Sequence, residues 1–432
     1  IIIQQMQRIA LITYLYGEKS TSMSGLRTES WARALVKAGI HVTVFTRDWE
    51  DGRALKAGEH FYDTEYTEPV ITESGNLRVV FLPYKNQSEP SGLILKKFYN
   101  SFLALTGRYS GEANINQWYD AIAEEHRKDP FTHFISSCHP YSSLIFIARL
   151  KRQFKKAITL ADFRDYININ LLNPDSKFSL FSRLIISAQQ KWITHYVKQI
   201  DIVTTASESI SEKFEKVHGC KNVTTIYNGY EADLFTGIAD QEVNNVFDVS
   251  MIGALYTYQD IDFMLDGLTM FLDTHRKAQN IMINFIGLEY HPEVANQVKN
   301  KLKDFESMIR ITPRLKRSTA LSVMKNSEIL FYVGWKGWKG IYSGKIFEYL
   351  GAQKNILIAP NDHDVLEKLM NNTGAGKLAN TSEEMNTILT DWYNEWQQNG
   401  KLKYNGIAER IVKFTRESQG AKLLELIKSK DQ

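Results

Sequence analysis

A chain of 432 residues is too long for one ordinary hydrophobic core, so two domains of roughly 200 residues each are expected. Hydrophobic content of 43% with 12% aromatics argues against disorder, and 52 basic against 49 acidic residues carry no overall nucleic-acid signature. Two cysteines, Cys138 and Cys220, argue against a disulfide scaffold or a structural zinc site and suit a reducing, cytoplasmic setting. Residues 1–5 lack the basic and long apolar regions of a signal peptide, and Met6 reads as the natural start. No apolar run reaches the ~18 residues of a membrane span. The sequons at Asn86, Asn222, Asn371 and Asn380 then read as chance matches.

Residues 8–15 read as a buried strand, followed by a loop over 16–23, a helix over 24–37 and a strand over 41–46. That is a βαβ unit, whose strands the handedness rule makes parallel. Its loop offers only Gly17 and Gly25, so the Gly-x-Gly-x-x-Gly dinucleotide fingerprint is missing. Residues 48–76 read as polar and irregular, and 77–82 as a strand. The apolar stripe over 90–110, with Lys96, Lys97 and Arg108 among it, fits two accounts. One is an ordinary domain helix; the other is an interfacial segment, 93–108, touching anionic lipid.

Further strands are expected at 132–137, 157–161, 201–205 and 223–227, with helices at 114–127, 141–154, 178–198 and 208–217 between them. Residues 236–245 are aperiodic and read as a linker. Strands then recur at 246–252, 281–286, 309–312, 328–333, 355–359 and 376–378. Between and after them, helices are expected at 261–272, from Pro292, and at 318–324, 343–352, 364–370, 382–396, 404–415 and 419–428. Such alternation predicts an α/β chain of two doubly wound, Rossmann-like domains. In sheets of this kind ligands bind beyond the carboxyl ends of strands, where Gly17, His139, Arg164, Gly253 and the loop after residue 333 fall.

That last loop, Gly334 to Gly340, leads into Ile341-Tyr342-Ser343-Gly344-Lys345-Ile346-Phe347-Glu348. Ser343 is a favourable N-cap and Gly344 permits close approach to the backbone. Free amides at a helix N-terminus hold anions, and Lys345 adds a full charge there. Glu348 lies one turn deeper on the face of Gly344. Such a cradle suits a nucleoside diphosphate, with amides and Lys345 on phosphates and Glu348 on ribose hydroxyls. Trp335 and Trp338 are expected outside the core, because three glycines break any period around them. Asp260-Ile261-Asp262 and Asp362-His363-Asp364 match a metal-binding Asp-x-Asp pattern, but both open helices, where capping accounts for them; no metal is expected. A Cys138–His139 nucleophile is disfavoured, since neighbours at a strand end point opposite ways.

The motifs as a set resemble the GT-B glycosyltransferases of the retaining family 4 type. Those carrying the likeness are Ala161-Asp162-Phe163-Arg164-Asp165, Ile226-Tyr227-Asn228-Gly229-Tyr230, Ile252-Gly253-Ala254-Leu255-Tyr256 and the stretch from Gly340 to Pro360. The Tyr342-Ser343-Gly344-Lys345 variant resembles the branch that builds bacterial surface polysaccharides. The resemblance implies a nucleotide-sugar co-substrate, no other cofactor, and a glycan or lipid-linked acceptor. It implies an acceptor-side domain over 6–235, joined by helices over about 414–432, and a donor domain over 246–413. Donor binding would fall to Glu348, Gly344, Ser343, Tyr342, Gly253, Tyr256 and Gln259. Catalytic roles would fall to His139, Lys345 and Arg164, and acceptor-side roles to Gly25, Asp162 and Asp165. Three departures stand out: Gly340 replaces the first glutamate of the Glu-x7-Glu pattern, and Ala254 and Gln259 replace the usual phosphate-binding cations. Lys345 is the substitute, with Arg164 and Arg314 as further candidates. A sugar-nucleotide epimerase and a non-catalytic nucleotide-sugar-binding relative are the alternatives.

Overall fold

A parallel strand covered on both faces is expected to be largely apolar; the strands here bury Val, Ile, Leu and Phe together with polar residues such as Thr43, Ser136, Asp162 and Ser250. The computed structural model of the chain describes residues 7–20, 23–49, 63–85, 92–108, 112–138, 140–239, 245–256, 259–335 and 337–429. These fall into two compact units. The first runs to Leu171, resumes over Asp175–Asn228 and takes in the chain from Gln419; the second holds Leu172–Pro174 and Gly229–Ser418.

In the first unit lie β1 (Arg8–Ile12), β2 (His41–Thr46), β3 (Val70–Ser74), β4 (Leu77–Phe81), β5 (His133–Ser137), β6 (Ile158–Phe163), β7 (Ile202–Thr205) and β8 (Val223–Thr225). They form one sheet in the order β3-β4-β2-β1-β5-β6-β7-β8. All its pairings are parallel except β3 with β4. The order reverses direction between β1 and β5, the mark of a doubly wound sheet. Ile9, Leu11, Val42, Val44, Ile135 and Leu160 form its core with Trp31 and Leu35 of the helix Met23–Lys37. Leu423 and Ile427, from the final helix Arg416–Lys428, complete that core.

The second unit contains β9 (Phe247–Ile252), β10 (Ile281–Ile286), β11 (Ile309–Ile311), β12 (Ile329–Val333), β13 (Asn355–Ala359) and β14 (Gly376–Leu378). Their order is β11-β10-β9-β12-β13-β14, all parallel, with the reversal between β9 and β12. The helix Ile261–Thr274 turns Met264, Leu268 and Phe271 inward, where they join Leu389 and Trp392 of the helix Ser382–Asn399.

Three elements depart from the expected series. Strand β3 lies in a stretch read as irregular; it is an edge strand exposed along its whole length, so no apolar alternation marks it. Residues 404–415 do not form one helix: a single turn, Ala408–Ile411, is followed by the 3-10 turn Val412–Phe414. Pairing with residue 230 draws the backbone away, since Tyr230 N donates to Phe414 O and Arg416 N to Tyr230 O. Trp338 is buried, because Gly337 and Gly340, at φ of 70° and 72°, fold the loop back and bring its ring to 6.3 Å from that of Trp335.

The first unit is locked by one buried ion pair. Arg27 and Asp162 are both wholly inaccessible, with Nη2–Oδ1 at 2.8 Å and Nε–Oδ2 at 3.1 Å. Arg27 Nη1 also donates to the carbonyls of Ile226 and Tyr227, and Thr204 Oγ1 donates to Asp162 Oδ1. Breaking one side of such a pair leaves a buried, uncompensated charge. Asp162→Ala is therefore expected to lower the stability of the chain by about 3–5 kcal/mol, measured by urea denaturation. A loss within the ordinary range of surface substitutions would show that the pair does not hold the unit together.

Candidate functional site

The loops that leave the carboxyl ends of β9 and β12 converge at the reversal point of the second sheet. Gly253, the residue after β9, has φ of 89°, a left-handed conformation that favours glycine. A Cβ there would stand 2.9 Å from Lys345 Cε, so the bare residue lets the lysine side chain pass. Gly287, after β10, sits with its own Cβ direction 3.6 Å from Gly253 Cα and 3.7 Å from Arg314 Cα. The loops following β9, β10 and β11 thus meet at one place.

The helix Gly344–Ala352 enters this place with its N-terminus. Ile346, Phe347, Tyr349 and Leu350 are buried and fix it. Tyr349 Oη accepts from Ile252 N at 3.0 Å, tying the helix to the end of β9. Ser343 holds the N-cap position in an extended conformation, but its side chain caps nothing. The capping bond expected of it is absent, leaving the first-turn amides uncapped by that hydroxyl. Half-buried Lys345 donates from Nζ to Ala254 O. Burial lowers its ammonium from the usual 10.5 to about 8, an effect that the Glu348 carboxylate only partly offsets.

Glu348 is half-buried and paired with Arg317 at 2.8 Å. Burial raises its carboxyl above the ordinary range despite three cations around it, Arg317, Arg416 and Lys345. Arg416 is itself buried, with Nη1 3.4 Å from Glu231 Oε1. Its Nε and Nη2 have no hydrogen-bond partner among the described residues, and burial lowers its pKa. Arg317, Glu231 and Arg416 are the members of this network that sequence reasoning missed. Arg416 is far from Glu348 in the chain, and no local pattern marks it.

The remaining site residues are distributed as follows. Gln259 is buried beside β12, donating to Val333 O at 2.6 Å and accepting from Tyr256 N at 2.8 Å. A neutral amide thus joins two loops where a cation was expected in relatives. Tyr256 is exposed and stacks on Trp335 with ring centres 5.8 Å apart. The Tyr342 hydroxyl donates to Val365 O, and its ring packs on Phe347. Gly340, where a glutamate was expected, donates its amide to Asp364 Oδ2 at 2.7 Å.

In the first unit, Gly25 is buried on the helix after β1 where a side chain would collide with Ser20 and Gly17 O; Gly17 N donates to Gly25 O. Asp162, read as an acceptor-side group at a strand end, is the penultimate residue of β6, where Arg27 and Thr204 engage its carboxylate. Arg164 is mostly buried with Nε lacking a partner among the described residues, and Asp165 beside it is exposed. His139 lies outside the described residues. Cys138 is buried, and that burial pushes its thiol well up, away from a nucleophilic thiolate. Asp260 accepts from Phe263 N, and Asp362 accepts from the amides of Asp364, Leu366 and Glu367, so both work as caps. Among the described residues no group of three or more His, Cys, Asp or Glu side chains is placed to hold a metal ion.

No protein-family model and no curated protein matches the sequence. Solved structures do. Sucrose-phosphate synthase from Thermosynechococcus elongatus is 13% identical, with 98% of each chain covered and a TM-score of 0.64. HepE from Anabaena, in complex with UDP, is 11% identical over 98% of this chain and 100% of that one, at 0.62. The UDP-forming α,α-trehalose-phosphate synthase from Burkholderia vietnamiensis is 10% identical over 98% and 99%, at 0.62. At such identities the likeness shows the fold: a GT-B architecture of two Rossmann-like units.

The lowered Lys345 pKa has a consequence for stability. The unfolded chain binds this proton more tightly than the folded one, so the penalty is full below about pH 8 and disappears as pH rises toward 10.5. Lys345→Met is expected to raise stability relative to the parent at pH 7, on the order of 1 kcal/mol, with the advantage shrinking by pH 10. Urea unfolding at the two pH values measures it; a constant difference would show that Lys345 titrates normally.

Proposed function

We propose that the chain is a retaining glycosyltransferase that moves a sugar from a nucleoside-diphosphate donor to a hydroxyl acceptor, lipid-linked or oligosaccharide. One observation carries the reading: an uncapped helix N-terminus at the sheet's reversal point, with the Lys345 ammonium beside it and the Glu348 carboxylate one turn deeper. Helix amides and a cation suit a diphosphate, and a carboxylate held at fixed height suits the ribose hydroxyls. HepE, among the structural neighbours, has been solved with UDP and with UDP-glucose, which supports a uridine nucleotide as the first donor to test.

In this reading the second unit carries the donor. Lys345 and the first-turn amides stabilise the negative charge that grows on the departing diphosphate, the largest contribution such a site can make. Retention follows if the acceptor hydroxyl attacks from the face the diphosphate leaves, its proton passing to a phosphate oxygen. His139 and Arg164 on the first unit are assigned catalytic roles with Lys345, and Gly25 and Asp165 are assigned to the acceptor side. Charge neutralisation by protein groups makes the reaction independent of divalent metal, and a cytoplasmic setting supplies the donor.

A non-catalytic nucleotide-sugar binder is the second reading, favoured by the absence of a carboxylate at Gly340. Turnover separates the two. The transferase reading expects donor hydrolysis or transfer that persists in EDTA, whereas tight nucleotide binding with no turnover of any donor favours the binder.

Calorimetry with UDP tests the site itself. Glu348→Gln and Lys345→Met are each expected to weaken UDP by about 1.5–3 kcal/mol, roughly ten- to a hundredfold. Parent affinity is expected to fall as pH rises through about 8, where Lys345 loses its proton. Unchanged affinity in both variants would remove the assignment.

A further inference from the structure

We infer that the helices Leu93–Thr106 and Leu180–Val197 of the first unit form a docking face for an anionic lipid bilayer. The inference stands on surface chemistry and does not depend on the transferase reading. The two helices pack against each other. Trp192 Nε1 donates to Leu105 O at 3.1 Å, and Tyr196 Oη donates to Gly107 O. Gly107 lies so close to Trp192 that a side chain there would collide with the indole. The pair is therefore fixed, yet each member leaves apolar side chains in water.

On the first helix Ile94, Leu95, Phe98, Phe102 and Leu105 recur at helical spacing along one stripe, and all are exposed, Phe98 at 68%. On the second, Leu180, Phe181 and Leu184 occupy one side of the first turns, Leu180 at 80% exposure. Large apolar side chains exposed singly need no explanation; eight on two packed helices do.

Charge selects the occupant. Residues 92–108 and 176–200 contain no Asp or Glu, while Lys96, Lys97, Arg108, Lys177, Arg183 and Lys191 are all exposed. A second copy of the chain would bring two such cationic faces together, which like-charge repulsion opposes. An acidic headgroup layer over a hydrocarbon interior complements both features at once, with the stripe entering the interface and the cations on phosphates. No helix among the described residues is long and apolar enough to cross a membrane, so the contact is peripheral.

Sedimentation of the full chain with sucrose-loaded vesicles tests this. Vesicles of phosphatidylcholine mixed with phosphatidylglycerol are expected to bind the chain at least about tenfold better than phosphatidylcholine alone, with the excess reduced by salt. Lys96→Gln with Lys97→Gln should lower that binding roughly fivefold per charge. Phe98→Glu with Leu184→Glu should abolish it while leaving the unfolding midpoint unchanged, since both positions are exposed. Equal binding to the two vesicle types, or binding to neither, overturns the inference. So does a concentration-dependent dimer, seen by sedimentation velocity, that the double glutamate variant dissolves while the parent ignores vesicles.

Discussion

Everything about the candidate site depends on one close approach: the Lys345 side chain lying over Gly253, where a Cβ would stand 2.9 Å from its Cε. Removing that side chain allows a helix and a strand end to come together with a cation between them. The rest of the helix Gly344–Ala352 exists to hold this arrangement. Its apolar residues fill the space over the sheet, and the Tyr349 hydroxyl takes the Ile252 amide at the end of β9. Such packing stabilises the fold, and the polar residues on the same short helix oppose it. Lys345 and Glu348 both give up water, which is why the pKa of each is shifted toward its neutral form. Ionisable groups desolvated in this way cluster at functional sites.

The charge network around Glu348 shows how the cost is contained. A carboxylate with one cation at 2.8 Å and two more nearby is less exposed to the desolvation penalty than an isolated one. Arg416 acts on it electrostatically from 68 residues further along the chain, positioned by the backbone pairing of residues 414–416 with Tyr230 and paired itself with Glu231. The first unit uses a different solution for its own buried charges. Arg27 and Asp162 meet in a closed bidentate pair, with Arg27's remaining donors on two carbonyls. That pair is complete and offers nothing to a ligand. The one around Arg416 is not, since Nε and Nη2 of that guanidinium lack partners among the described residues. The contrast is between a pair whose donors are all used and a buried guanidinium whose donors are not.

Much of the fold and part of the site were legible in the chain itself. Parallel strands buried on both faces read as apolar runs, so β10, β12 and β13 stand where the hydrophobicity puts them, and β9 where the alternation restarts. The helix bearing Lys345 and Glu348 was legible because a turn glycine, a short polar segment and an apolar stripe occur within ten residues. Partners were not. Arg317 and Arg416 act on Glu348 across long stretches of chain, and Asp162 is claimed by Arg27, 135 residues away. Sequence spacing carries no record of such meetings.

The sequence by itself therefore determined the alternation of strands and helices, the doubly wound class and the chemistry available at one helix start. Tertiary structure decided which polar groups meet and which surfaces remain in water. The stripe over 93–108 makes the point: a helix that faces a core and one that faces outward share the same 3.6-residue period. Only the packing of Trp192 and Tyr196 against its C-terminal end leaves Phe98 and Phe102 uncovered. Trp338 runs the other way, a loop residue without periodicity that two left-handed glycines return to the interior. Periodicity is a property of neighbours along the chain, whereas burial is set by what the rest of the chain brings against them.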